Sequence, residues 1–191
     1  MLAIGYYATQ LATVKTSWIR NAFIMLVASV IIALFGAVSI PLPFSPVPIA
    51  MQCQVCLFFG AFLGSKRGAG AVLLFLAQGM MGLPVMAGGA GGAHHFFGPT
   101  GGYLIGYLVG TYLCGLLWEN SSTKSIAKCF LAMTVGNAFV YFLGIAWLST
   151  FVGLSSAFVL GCLPFIVGDA VKLCIAVKAV RSFRILPSSR S

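Results

Sequence analysis

The chain has 191 residues, of which 60% are hydrophobic and 7% charged, with a mean hydropathy of +1.06. That composition excludes an ordinary water-soluble domain, a disordered chain and a fibrous repeat, and the length accommodates about six bilayer spans of roughly 20 apolar residues but no separate soluble catalytic domain. The formal net charge is +9, yet the eleven Lys and Arg stand in small groups between long apolar runs, the pattern of basic cytoplasmic loops and not of a nucleic-acid-binding surface.

The charge-free stretches set the organisation. Residues 21–65, 68–118 and 129–168 contain no Asp, Glu, Lys or Arg. Each is about two spans and a turn long, so each reads as a helical hairpin whose far loop is uncharged. Six spans are predicted, at 22–40, 49–63, 70–83, 101–118, 127–151 and 165–180. The second and third are short for a bilayer and require tilt or local thinning.

Lys15 and Arg20 precede the first span, and Lys66 and Arg67 join the second to the third. Lys124 and Lys128 join the fourth to the fifth, and Lys178, Arg181, Arg184 and Arg190 follow the sixth. All four clusters fall on one side, which the positive-inside rule makes cytoplasmic, together with both termini. The expected protein is an all-α, multi-pass membrane protein. It forms a single transmembrane domain over 1–191, with a cytoplasmic tail at 1–20, a six-helix bundle at 22–181 and a basic tail at 182–191. Ala37-Val38-Ser39 resembles a signal cleavage site, but the preceding apolar run is long for a signal peptide and the charge pattern needs an even number of spans, so the first segment is expected to stay as a helix.

Taken in order, the outer loops carry the unusual sequence. Pro41, Pro43, Pro46 and Pro48 prevent regular helix, predicting a stiff, extended, apolar strap. The loop at 82–102 is dense in glycine, lacks the lysine of a P-loop, and lies on the side without ATP. Its Gly88 and Gly89 suit close approach of backbone to a ligand, as a lid. His94 and His95 lie in it without the further ligands that a metal site needs, and no metal is expected. Cys53, Cys56, Cys114, Cys129, Cys162 and Cys174 are dispersed through predicted spans and read as small apolar packers.

Asp169 and Lys172 are the most informative residues. An ionised Asp or Lys in mid-span costs about 2.5–3.5 kcal/mol on insertion scales, and spaced i and i+3 the two share one helix face and partly neutralise each other. Gly161, Pro164 and Gly168 break the chain just before them. The pair is expected at the bottom of an outward-facing cavity.

Together these segments closely resemble the BioY family, the biotin-binding S components of energy-coupling factor transporters. The resemblance is carried by Ile40-Pro41-Leu42-Pro43 to Pro46-Val47-Pro48, Gln52, Gly64-Ser65-Lys66-Arg67-Gly68 and Gly82-Leu83-Pro84-Val85-Met86-Ala87-Gly88-Gly89. It continues through Gly98-Pro99-Thr100-Gly101-Gly102-Tyr103, Gly136-Asn137, Tyr141, Trp147-Leu148, Pro164-Phe165 and Gly168-Asp169-Ala170-Val171-Lys172. It implies capture of biotin from the outside, with biotin as transported ligand and no cofactor, and in many cases assembly with a transmembrane coupling protein and two ATPases. A homo-oligomer is the other assembly envisaged.

Biotin carries a ureido ring with two N–H donors and a carbonyl, an apolar sulfur ring, and a carboxylate on a flexible tail. Asp169 suits a ureido N–H, and Lys172 suits either the ureido oxygen or the carboxylate. Asn137 would hydrogen-bond the ureido group or a neighbouring helix, and Tyr103 and Tyr141 would add stacked area and hydroxyls. His94, His95 and Ala50 depart from the family pattern. Ala33 and Ala37, four apart on the first span, match the small-residue spacing with which such components contact the coupling protein. A self-sufficient transporter of another small solute is the alternative, and no catalytic motif points to an enzyme.

Overall fold

The computed structural model describes residues 2–122 and 125–184. Lys124, Arg190 and the rest of the predicted tail from residue 185 lie outside them, as do the side chains of Lys15, Arg181 and Arg184. The chain forms α1 (Leu2–Ala37), a hairpin of β1 (Ser39–Leu42) and β2 (Ser45–Ala50), α2 (Gln52–Leu63) and α3 (Ser65–Met80). It continues with a 3₁₀ turn at Ala87–Gly89, α4 (His94–Phe97), α5 (Gly101–Glu119), α6 (Ile126–Val152), α7 (Leu154–Gly161) and α8 (Leu163–Arg184).

Among the described residues three helical segments are long and apolar enough to cross a membrane: Trp18–Ala37 within α1, Gly101–Glu119 and Ile126–Val152. A fourth is added if Leu154–Ile166 and Gly168–Val180, which meet at a 46° bend within α8, count as one broken span. The expected six spans therefore appear by length alone as three or four. The second and third predicted spans form helices of 12 and 16 residues, shorter than the roughly 20 residues of a full crossing, and the proline strap keeps the chain extended up to Ala50 before α2 begins.

The strap is a correction to a purely α-helical reading. It pairs antiparallel, Ser39 opposite Ala50 and Ile40 opposite Ile49, with an irregularity before Leu42, where Pro41 has no N–H to donate. Lys66 and Arg67, expected in a loop, lie in the first turn of α3. One residue, Gly64, makes the whole turn between α2 and α3 at φ +91°, a conformation that a Cβ disfavours.

Two apolar clusters make the core. Leu57, Cys114, Trp118, Met133, Val140, Leu148, Leu173 and Val177 join α2, α5, α6 and α8, while Ala28, Ile32, Phe59, Val72 and Phe75 join α1 to α2 and α3. Many other large apolar side chains, including Trp18, Phe23, Leu34, Leu131, Phe142 and Ile175, face outward, as a bilayer solvent requires. α5 and α6 approach along a glycine seam. A Cβ on Gly110 would lie 2.6 Å from the carbonyl oxygen of Gly136, and one on Gly106 would lie 2.9 Å from Val140 Cα, so only glycine allows this spacing.

The bundle has two distinct ends. At one, the last residue of α5, Glu119, accepts hydrogen bonds from Ser65 N (2.9 Å) and Ser65 Oγ (2.7 Å) at the start of α3. At the other, the hairpin, the glycine-rich loop and α7 are tied together over the start of α5. Ser45 Oγ donates to Leu160 O (2.8 Å), Tyr103 Oη to Gly161 O (2.8 Å), and Trp147 Nε1 to Gly98 O (2.9 Å).

Candidate binding site

At the hairpin end, α2, α5, α6, α8 and strand β2 enclose a polar recess. Asp169 sits on α8 immediately after the bend between Ile166 and Gly168 and is 7% exposed. Two side chains take its oxygens. Tyr141 Oη, from α6, donates to Oδ2 at 2.6 Å, and Lys172 Nζ, one turn further along α8, contacts Oδ1 at 3.3 Å. Lys172 Nζ also donates to the carbonyl of Ala50 at 3.0 Å, at the end of β2. The ammonium therefore neutralises the carboxylate and anchors the strap to α8.

Asn137 faces this group from α6. Its Oδ1 accepts from Cys53 Sγ (3.2 Å) and Gln54 Nε2 (3.4 Å), both on α2. Two donors on one oxygen fix the orientation of the amide, which leaves its Nδ2 group without a hydrogen-bond partner among the described residues.

These groups border two adjoining hollows. The first, about 40 Å³, is lined by Val47, Cys53, Tyr103, Asn137, Tyr141 and Asp169, among others. That is space for only a few waters. The second, about 140 Å³, shares Val47, Pro48, Ala50, Tyr103 and Tyr107 with the first and continues to Gln52, Met86, His95 and Thr100.

The expected site residues divide accordingly. Asp169, Asn137, Tyr103 and Tyr141 are brought together around the first hollow. Lys172 stands behind Asp169 and does not line it. Tyr103 is engaged structurally, its hydroxyl closing the last turn of α7. Gly88 and Gly89, both at left-handed φ (71° and 73°), are not brought to Asp169. Gly88 borders a groove with Ser39, Pro41 and Leu42 that shares Pro46, Pro48 and Ala87 with the second hollow, and the loop is held there by Gln52 Nε2 donating to Val85 O (2.9 Å).

Ala33 is half-buried against the α1–α3 cluster while Ala37 is exposed at the end of α1. Tyr107, which lines both hollows, is a residue that sequence reasoning passed over. Its signal was its position four after Tyr103, one turn along the same helix face.

The glycine-rich loop places its two histidines side by side, with ring centroids 4.1 Å apart and 40° between planes. Burial, and then the neighbouring His94, push the imidazole of His95 below its usual pKa. All six cysteines are free thiols, including Cys53 and Cys56, and Cys174 is exposed.

Comparison with known proteins agrees with this architecture. The BioY family model matches residues 8–188. The chain is 40% identical over 160 residues to the biotin transporter BioY of Rhizobium etli, covering 79% of this chain and 85% of that protein. It is 40% identical over 176 residues to the biotin transporter BioY of Rhodobacter capsulatus, covering 85% and 92%. It is also 38% identical over 152 residues to a probable biotin transporter BioY of Pyrococcus horikoshii, covering 77% and 90%. Among solved structures it resembles the S-component for biotin from an ECF-type ABC transporter, with a TM-score of 0.82 and 32% identity over 90% of this chain and 94% of that one.

Proposed function

The chain belongs to the BioY family, and we propose that it is a membrane-embedded biotin-binding S component that takes the vitamin from the outer face and delivers it inward. The observation that carries this reading is the buried carboxylate of Asp169, held between Tyr141 and Lys172 and bordering a hollow that Asn137 also lines.

The chemistry follows from unused valences. A carboxylate offers about four lone-pair sites, and two are occupied here, so Asp169 retains acceptor capacity for a ureido N–H. Asn137, whose Oδ1 is taken, has its Nδ2 group to donate to the ureido oxygen. Lys172, already bonded to Asp169 and Ala50, pairs with the carboxylate in an apolar surrounding and so positions it. Val47, Val140, Phe165 and Tyr103 supply the apolar wall that a sulfur ring needs. The proposed act is capture and release, not catalysis.

The same reading assigns six membrane crossings, with α2 and α3 as the short pair and α7–α8 as one broken crossing, and both termini cytoplasmic. Supporting it, Glu119, Lys66, Arg67 and Lys128 gather where α3 and α6 begin and α5 ends, and the uncharged hairpin and loop gather at the other end. Partners would be an energy-coupling factor membrane protein and its ATPases, met through the exposed face of α1, in the cytoplasmic membrane. Ala37, not Ala33, is exposed there for contact. A self-sufficient transporter of another solute is not favoured, since the relatives share biotin in their names.

Calorimetric titration of detergent-purified protein with biotin tests the reading. Biotin is expected to bind, and Asp169→Asn to weaken binding at least tenfold, about 1.4 kcal/mol. Unchanged affinity in a folded Asp169→Asn variant would reject the role given to the carboxylate.

A further inference from the structure

We propose that His95 is the residue that recognises the carboxylate end of the ligand, at the far end of the second hollow. This rests on the biotin reading and adds where the tail lies and what charge meets it.

The lining of the first hollow contains no basic side chain. Its cation, Lys172, is committed to Asp169 Oδ1 (3.3 Å) and Ala50 O (3.0 Å) and does not line the hollow. A second carboxylate placed beside Asp169 would add like charge to a buried anion, which is strongly unfavourable. A ligand with a neutral polar ring at one end and a carboxylate at the other must therefore send its carboxylate elsewhere.

The second hollow is the adjoining space, joined to the first along Val47, Tyr103 and Tyr107. Met86, Ala87, Ala90 and Leu104 give it an apolar lining suited to a methylene chain, and His95 is the one basic side chain among its lining residues. Thr100 lies next to it there, its hydroxyl donating to the carbonyl of His95 at 3.2 Å, which fixes the short α4 turn against the start of α5.

The titratable groups near His95 are His94 on its own turn and Tyr103 and Tyr107 across the hollow on α5. Asp169 and Lys172 belong to the first hollow. Without ligand, burial and His94 favour the neutral imidazole of His95. A carboxylate arriving beside it favours the charged form and raises its pKa. Binding therefore takes up a proton, and affinity rises as pH falls through the range between the bound and the free pKa.

The test uses the full chain in detergent, titrated calorimetrically with biotin and with biotin amide, which lacks the carboxylate, between pH 8 and pH 5.5. Biotin affinity is expected to rise roughly tenfold across this range, the scale of a charge-assisted hydrogen bond, with a proton uptake visible as a buffer-dependent heat. The amide is expected to show neither. His95→Gln is expected to bind biotin with the flat profile of the amide, while His94→Ala keeps the slope. Equal pH profiles for biotin and its amide, or a persistent slope in His95→Gln, would overturn the assignment while leaving the biotin reading intact. Absence of any biotin binding by the native chain would remove both.

Discussion

The two acidic residues of the chain, Glu119 and Asp169, are set into opposite ends of the bundle and are used in opposite ways. Tyr103, which lines the hollow with Asp169, is in the first turn of α5, and Glu119 is its last residue. Sixteen residues of helix separate the two ends by about 24 Å. Glu119 is exposed, and both its oxygens are taken by the backbone N–H and hydroxyl of one serine that opens α3. Asp169 is buried, its partners are side chains from two helices, and it borders a hollow.

The difference teaches what distinguishes a structural carboxylate from a binding one. Glu119 satisfies the orphan amide of a helix start, where the helix dipole favours an anion, and the resulting contact lets one glycine connect α2 to α3. Asp169 has no orphan backbone group to serve. Its oxygens are met by Lys172 and Tyr141, which offset the cost of burial, an arrangement that makes sense where acceptor capacity is left over for a ligand.

The comparison breaks most sharply at Lys172. Lys172→Met leaves the Asp169 charge buried with Tyr141 alone, and loss of one member of a buried pair costs about 3–5 kcal/mol. A steep fall in thermal stability is expected, and the double variant Lys172→Met/Asp169→Asn is expected to recover most of it while still failing to bind biotin. Recovery of binding in the double variant would show that the pair serves packing alone. At the other end the effect is smaller and of another kind. Glu119→Ala removes a helix-start acceptor worth about 1 kcal/mol, so melting is expected to fall by about 2–4 °C with biotin affinity unchanged. A weakened affinity there would mean that the two ends are coupled.

Much of this contrast was legible before any coordinates. The charge-free runs placed α5 and α6 to within a residue or so at each end, 101–118 against Gly101–Glu119 and 127–151 against Ile126–Val152, because long apolar helices between polar ends have few alternatives. Asp169, Asn137 and Tyr141 could be singled out because polar groups in apolar spans need a reason.

What escaped was set by tertiary contact. Lys66 and Arg67 look like a loop until Glu119 is seen holding the start of α3. Residues 154–161 look like an uncharged loop, yet Gly153 restarts the helix at φ +78° and Ser45 and Tyr103 bond the carbonyls at its end as α7. Gly88 and Gly89 suit close approach of backbone to a ligand, but the bond from Gln52 to Val85 that fixes where this loop lies joins residues 33 apart and leaves no mark in the local sequence. The turn-to-turn repeat of Tyr103 and Tyr107 was visible but indistinguishable from ordinary core spacing.

The most direct measurement is a structure of the protein with biotin bound. The account predicts the ureido ring in the first hollow, with a ring N–H within hydrogen-bonding distance, about 2.7–3.2 Å, of the Asp169 carboxylate. A bound biotin whose ring lies elsewhere, with Asp169 still touched only by Tyr141 and Lys172, would contradict it.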